Sequence, residues 1–376
     1  MLNKLLSNAT KDVRPGLDEA GPLIVNVSLN LVALTELNEV KGYISTIGFL
    51  DVSWIDERMA WDPADYEGIS SVSIESSKVW TPDIITSNPA EKIHSFSEIS
   101  TGIRYFSTGF AWWRPGSVIK TICFIRIPAY PFDVHTCPIS FAAWGTFPFE
   151  LILQTPTNTV TTSFYSENSE WALTGTSAGA AVAGDQLSMV GFDIQFSRKS
   201  TFLVVNILIP IVFLSILNSV VFLLPQESGE RVSFSVTVLL SFTVFLSVIG
   251  DNIPKTSSPM PLLCHYVVAV LIYSGIITFT AILCQRLYHT RGMEPVPIWL
   301  LTCLCMQSPT CVNKVENLPE NEEKVLPKNE DTVTSHEAVS WKYVILKLDK
   351  ILFVFFFILA IALSLGFILT MALTVA

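Results

Sequence analysis

Four long stretches without an Asp, Glu, Lys or Arg fill most of the chain's second half: residues 200–226, 232–250, 256–285 and 351–376. Each is about the length, roughly 20 residues, that an α-helix needs to cross the hydrocarbon of a bilayer. A helix also satisfies its own backbone groups there, where no water can. The first half has a different character. Residues 1–200 hold 13 Lys/Arg and 21 Asp/Glu, a net of −8, whereas residues 201–286 hold three of each sign. A polar, acidic segment followed by four spans is the pattern of a membrane protein with a large external domain. The acidic balance argues against nucleic acid as a partner and favours attraction of cations.

Seven cysteines divide along the same line. Only Cys123 and Cys137 lie in the first 200 residues. A disulfide-competent pair there places this half outside the reducing cytosol. The sequons at Asn8 (AsnAlaThr) and Asn26 (AsnValSer) agree with a glycosylated outer face. Cys303, Cys305 and Cys311 lack the paired spacing and histidines of a zinc site. They read as free thiols or as sites of lipidation near the membrane. No metal or other cofactor is implied. The first residues, MetLeuAsnLysLeuLeuSerAsn, are too short and polar for a cleavable signal peptide.

The first 200 residues read as β-structure. Val25–Leu31 alternates apolar and polar with period two. Short apolar runs recur between turn signals at 62–64, 81–83 and 114–116. Many short strands with frequent punctuation predict a β-sandwich. The predicted division is an outer β-sandwich over 1–199, three spanning helices over 200–286, a polar loop over 287–340, and an amphipathic lead-in with the fourth helix over 341–376. The loop carries four Lys/Arg and eight Asp/Glu, and part of it has a disordered composition. Charge bias across the spans is weak. The cysteine pair and the sequons orient the chain instead, and four crossings leave both termini extracellular.

The second span, about 231–250, stands apart. Glu230, Ser233, Thr237, Leu240, Val244, Ser247 with Val248, and Asp251 follow one another at helical spacing and share a face. That face runs carboxylate, hydroxyl, hydroxyl, aliphatic, aliphatic, carboxylate. Its rise is about 32 Å, enough to span. Several copies around an axis would set carboxylate rings at both mouths and an apolar girdle midway. The plainer alternative is that the hydroxyls only bond the carbonyl four residues back. Carboxylates at both membrane edges favour an ion path.

These residues also carry a resemblance. LeuLeuProGlnGluSerGlyGluArgValSerPheSerValThrValLeuLeuSerPheThrValPheLeu (223–246) resembles the pore segment of Cys-loop, or pentameric ligand-gated, ion channels. It is most similar to the cation-selective branch of nicotinic acetylcholine and serotonin type 3 receptors. AsnIleProLysThrSerSerPro (252–259), ValTrpThrProAspIle (79–84), Pro210, Arg198, and the 13 residues between Cys123 and Cys137 with their ProPheAsp core match further family motifs in order. The resemblance implies a homo- or heteropentamer in the plasma membrane, opened by a small extracellular agonist bound between subunits. A glutamate at Glu230 without a ProAla-type insertion implies passage of Na⁺ and K⁺. Family members bind agonist in an aromatic box. The resemblance places Trp144 at its centre, Ser87 and Trp171 on further loops, Phe49 on the complementary side, and Trp112, Trp113 and Arg114 on the adjoining complementary-face strand. Trp144 could equally be a packed core residue.

Two walls of that box are missing. Ser87 stands where a tyrosine is frequent, and the capping loop 174–186 has no aromatic and no adjacent cysteines. An agonist other than acetylcholine or serotonin, a proton, a metal ion or a site elsewhere all stay open. The resemblance further implies that Glu39 pairs with Arg198, and that Phe132 and Asp133 at the cysteine-loop tip meet Pro254 to couple binding to gating. The disulfide could instead be purely stabilising, contributing roughly 3 kcal/mol. The competing overall reading is a non-conducting accessory subunit or surface binding protein of the same fold. No hydrolase, metalloprotease or phosphate-loop motif suggests an enzyme.

Overall fold

The computed structural model describes residues 5–7, 10–16, 21–93, 95–183, 186–252, 260–290 and 341–375. The chain divides into two compact units, Met1–Phe202 with Asn252–Met260, and Leu203–Asp251 with Pro261–Ala376. Asn8, Pro254 and the three cysteines after the third span lie outside the described residues.

The first unit contains eleven described strands: β1 Leu23–Asn38, β2 Tyr43–Ile55, β3 Ser71–Glu75, β4 Ile84–Thr86, β5 Gly102–Phe106, β6 Phe110–Trp113, β7 Gly116–Ile122, β8 Val134–Ala143, β9 Leu151–Gln154, β10 Trp171–Ala183 and β11 Leu187–Arg198. One sheet has the order β3-β5-β6-β2-β1-β9, with β7 also paired to β2. The other has the order β10-β11-β8-β4. Alternation builds the core between them. Val25, Val27 and Leu29 of β1, Leu50, Val52 and Trp54 of β2, Ile139 and Phe141 of β8, and Phe192, Ile194 and Phe196 of β11 are all buried in one cluster. The intervening residues of β1 and β2 face outward, among them Asn26, which stays partly accessible. Cys123, just after β7 in one sheet, is bonded to Cys137 of β8 in the other. The Tyr130–Pro131 peptide within that loop is cis.

The second unit is helical. Among the described residues four helices are long and apolar enough to cross a membrane. We number them α1 (Thr201–Leu223), α2 (Glu230–Asn252), α3 (Leu262–Thr290) and α4 (Trp341–Val375). The helix α1 widens to a π-turn over Val204–Leu208. Pro210 lies two residues on; it has no N–H to give to the carbonyl of Asn206, four residues earlier and inside that turn, which disfavours a regular ladder. Lead-in and last span form one continuous helix from Trp341 onward. Hydroxyl and amide pairs tie the helices laterally: Asn218 Nδ2 donates to Ser274 Oγ at 2.9 Å, and Ser235 and Thr278 hydroxyls lie 2.6 Å apart. Tyr273 donates to the Phe356 carbonyl at 3.0 Å. Such groups pair because lipid offers them no alternative partner.

Adjacent tryptophans on β6 test the alternation. Trp113 is fully buried and its Nε1 donates to Thr101 Oγ1 at 2.7 Å, whereas Trp112 faces outward. Trp113→Ala is expected to destabilise the first unit by about 3–5 kcal/mol, and Trp112→Ala by clearly less. Thermal unfolding of the full chain in detergent would read both, and equal losses would refute the assignment of faces.

Candidate functional site

Three groups of predicted residues can be located. The first lies on α2. Glu230, Ser233, Thr237, Leu240, Val244, Ser247, Val248 and Asp251 are all exposed in the single chain, while Arg231, Ser235, Val238, Phe242 and Ile249 are buried on the opposite side. The helical unit thus uses the buried face for its own packing and leaves the other open. Thr237 Oγ1 donates to the Ser233 carbonyl at 2.8 Å, so the back-bonding alternative also holds. Such a bond uses the proton of the hydroxyl and leaves its oxygen as an acceptor on that exposed face.

Arg231, the residue after Glu230, has partners of its own. The guanidinium is fully buried. Its Nη1 donates to Asp349 Oδ1 at 3.1 Å and its Nη2 to the Phe222 carbonyl at 3.0 Å. Gln226 Nε2 donates to Asp349 Oδ2 at 2.9 Å. A buried cation without such partners would be severely destabilising. Asp349 had no visible role in the sequence, because 118 residues separate it from Arg231.

The second group surrounds Arg198 at the end of β11. Nε donates to Asp133 Oδ1 at 2.7 Å; Nη2 donates to Asp133 Oδ2 at 2.9 Å and to Glu39 Oε1 at 2.7 Å. The guanidinium lies over the rings of Trp171 at 4.3 Å and Tyr130 at 4.9 Å. Burial alone would raise the Asp133 pKa, but the hydrogen bonds and charge of Arg198, with a hydrogen bond from His135, hold it far below the usual carboxylate range. His135 Nε2 sits 2.5 Å from Asp133 Oδ2, and its ring lies against Trp171. Phe132, next to Asp133, is partly exposed. The structure therefore brings Glu39, Asp133 and Arg198 together and adds Tyr130, His135 and Trp171.

Trp171 accordingly corrects an expectation. It was assigned to the ligand box, yet it is buried, paired across the strands with Arg198. Trp113 is a second correction. Its side chain fills the sandwich core, because it alternates with the outward Trp112.

The third group splits over two faces. Trp144 follows β8 and is 53% exposed, so it is not a core tryptophan. Its N–H donates to the Asp83 carbonyl at 2.8 Å. Asp83 is itself fixed, accepting hydrogen bonds from Ser95 and Ser97, and Trp80 packs edge-on against Trp54 at 5.7 Å. The TrpThrProAsp motif thus holds the strand edge that presents Trp144. Ser87 Oγ is enclosed with no hydrogen-bond partner among the described residues. On the outer face of the first sheet, Arg114 stacks over Trp112 at 4.1 Å and over Phe49 at 5.4 Å. Asp51 binds both neighbours: Arg114 Nε at 2.5 Å and Trp112 Nε1 at 3.1 Å. Phe164 meets Phe49 edge-on at 5.5 Å. Asp51 was missed in the sequence, though its place two residues after Phe49 on a strand puts it on the same face.

Residues 1–200 match the neurotransmitter-gated ion-channel ligand binding domain, and residues 207–336 match the neurotransmitter-gated ion-channel transmembrane region. Among similar proteins is the acetylcholine receptor subunit beta-type lev-1 of Caenorhabditis elegans, 32% identical over 305 residues, covering 78% of this chain and 59% of the relative. The neuronal acetylcholine receptor subunit beta-2 of Carassius auratus is 30% identical over 293 residues, 77% of this chain and 64% of the relative. The acetylcholine receptor subunit alpha-1-B of Xenopus laevis is 30% identical over 307 residues, 80% of this chain and 67% of the relative. The chain thus spans only 59% to 67% of these relatives' own lengths. Four membrane-crossing helices following a β-sandwich, with both halves matched, make this a multi-pass membrane protein. The chain belongs to the neurotransmitter-gated ion-channel family.

Proposed function

We propose that the chain is a subunit of a pentameric, ligand-gated cation channel of the plasma membrane, with both termini extracellular. The observation that carries this reading is the open face of α2. It presents carboxylates at both ends and hydroxyls and aliphatics between, while Arg231, next to Glu230, is withdrawn and paired with Asp349. Five such faces around an axis would form a wetted path. Glu230 and Asp251 rings would concentrate Na⁺ and K⁺, and Leu240 and Val244 would form a girdle that closes by dewetting. The similar proteins named above are acetylcholine receptor subunits, which supports assembly with like subunits, whether identical or mixed.

A small extracellular agonist would bind between the Trp144 side of one subunit and the Phe49–Trp112–Arg114 face of the next. Arg198 with Glu39 and Asp133 would carry the response toward the loop containing Pro254. A second reading, a non-conducting accessory subunit or surface binding protein, draws on β10 and β11, whose capping hairpin offers no aromatic side chain between 174 and 183.

Permeation can be read without an agonist. Leu240→Thr replaces a greasy girdle by hydroxyls and is expected to give a standing current under voltage clamp. Replacing external Na⁺ with a large organic cation should shift its reversal potential negative, and replacing Cl⁻ should not. Adding Glu230→Gln should weaken the cation preference. In the same background, Ser233→Cys and Thr237→Cys should be blocked by a charged thiol reagent. A Cl⁻-dependent reversal, or cysteines unreactive because they face lipid, would overturn the pore assignment.

Arg198→Gln removes the partner that holds Asp133 charged within the sandwich. Ligand-evoked current is expected to vanish, while the standing current of Leu240→Thr and the amount of protein at the surface, read by biotinylation, persist. Ligand-evoked current that survives unaltered in this variant would sink the coupling role.

A further inference from the structure

One amide on the outer face of the first sheet is left spare. Asn26 lies within β1 between Val25 and Val27, both fully buried. Alternation therefore turns Asn26 and Ser28 outward, and both stay partly accessible. Asn30, two residues past Ser28, makes the contrast. It is 3% exposed, and its Nδ2 donates to Asp51 Oδ2 at 2.9 Å. The amides of Asn38, Asn88 and Asn168 also donate within the sandwich. Among the described residues the Asn26 side chain makes no hydrogen bond.

Register carries Asn26 to the aromatic face. It pairs with Ser53 of β2 and with Gln154 of β9, and Ser53 pairs in turn with Trp112 of β6. Directly paired residues share a face. Asn26 and Trp112 are thus two strands apart, about 10 Å at the usual strand spacing. On that rung only the small side chain of Ser53 stands between them. The flanking outward positions, Ile24 of β1 and Ile55 of β2, are 49% and 51% exposed. Bare aliphatic surface therefore borders Asn26 on the side away from Asp51.

AsnValSer (26–28) is the acceptor pattern for an N-linked glycan. The transfer joins Asn26 Nδ2 to C1 of the first sugar and breaks that carbon's bond to the pyrophosphate of a lipid-linked oligosaccharide. The lipid pyrophosphate leaves, and the proton lost by the amide goes with it. An external domain meets this donor on its way through the secretory compartments. The fold tolerates the product, because Val25 and Val27, not Asn26, carry the packing of β1.

We propose that Asn26 carries an N-linked glycan that overhangs Trp112 and Arg114 and limits this face to small ligands. The proposal rests on the reading of this face as half of an intersubunit agonist site, and it gives that site its size limit. The sugar chain is bulky and hydrated, and it is tethered about 10 Å from the indole. A small molecule diffuses past such a tether. A polypeptide has to displace it and to restrict its motion.

The test uses the full chain carrying Asn8→Gln, expressed in mammalian cells, so that Asn26 holds the remaining sequon of the outer half. Digestion with a peptide-N-glycosidase should lower the apparent mass. Adding Asn26→Gln or Ser28→Ala should abolish that shift, and Ser28→Thr should keep it. Ser53→Cys then puts a thiol between the glycan and Trp112, and the chain without this substitution gives the background. On intact cells a long polyethylene-glycol maleimide should react about tenfold more slowly with the glycan present than after Asn26→Gln, a barrier of about 1.4 kcal/mol. A small charged maleimide should react alike in both. Enzymatic removal of the glycan from folded surface protein should restore the fast rate, which guards against a misfolded variant. No mass shift from Asn26, long-reagent labelling indifferent to the glycan, or equal slowing of both reagents would each overturn the proposal. The Leu240→Thr current separates this from the channel reading. A standing cation current with failed labelling leaves the channel and removes the glycan shield. Labelling as expected without any such current does the reverse.

Discussion

A guanidinium withdrawn from water must meet carboxylate oxygens, and each unit of this protein meets that demand across a long stretch of chain. Arg198 finds Glu39, 159 residues away, and Asp133; Arg231 finds Asp349, 118 residues away. Desolvation makes each arrangement unforgiving, because loss of one partner leaves the other buried and charged. Arg198 thereby links the end of β11 to the cysteine loop and to the loop after β1. Arg231 fixes the start of α2 against α4, which sets the rotation of the helix and so decides which residues it leaves exposed.

Rotation is what turns an apolar helix into a candidate ion path. A side chain's position on α2 follows from its spacing, but spacing alone does not say which face is free. Once Arg231, Ser235, Val238, Phe242 and Ile249 are committed to internal packing, Glu230, Thr237, Leu240, Val244 and Asp251 have nothing among the described residues to cover them. The hydroxyl of Thr237 bonds its own helix and yet lies on this face, so the two roles are compatible.

The outer unit follows the same logic with period two. Trp112 and Trp113 are chemically identical neighbours with opposite fates, one supporting a guanidinium at the surface and one filling the core. On β2, Phe49 and Asp51 share the outward face that Leu50 leaves for the interior. Arg114 then converts two aromatic rings, which would otherwise suit a cation, into a surface that already holds one.

The sequence by itself determined the parts governed by local rules. Four uncharged runs long enough to span, period-two alternation in the first half, a shared face on the pore segment and the pairable cysteines all follow from spacing and chemistry over a few residues. The resemblance in the TrpThrProAsp, cysteine-loop and pore motifs carried the Glu39–Arg198 pairing, which geometry then showed at 2.7 Å. Only the tertiary structure decided that Trp171 is buried against Arg198, that Trp113 is interior, that Asp349 neutralises Arg231, and that Asp51 is met by four donors. Each of these depends on which residue meets which across distant strands or helices, and burial energy, acting on the whole packed unit, selects those partners where no local pattern can.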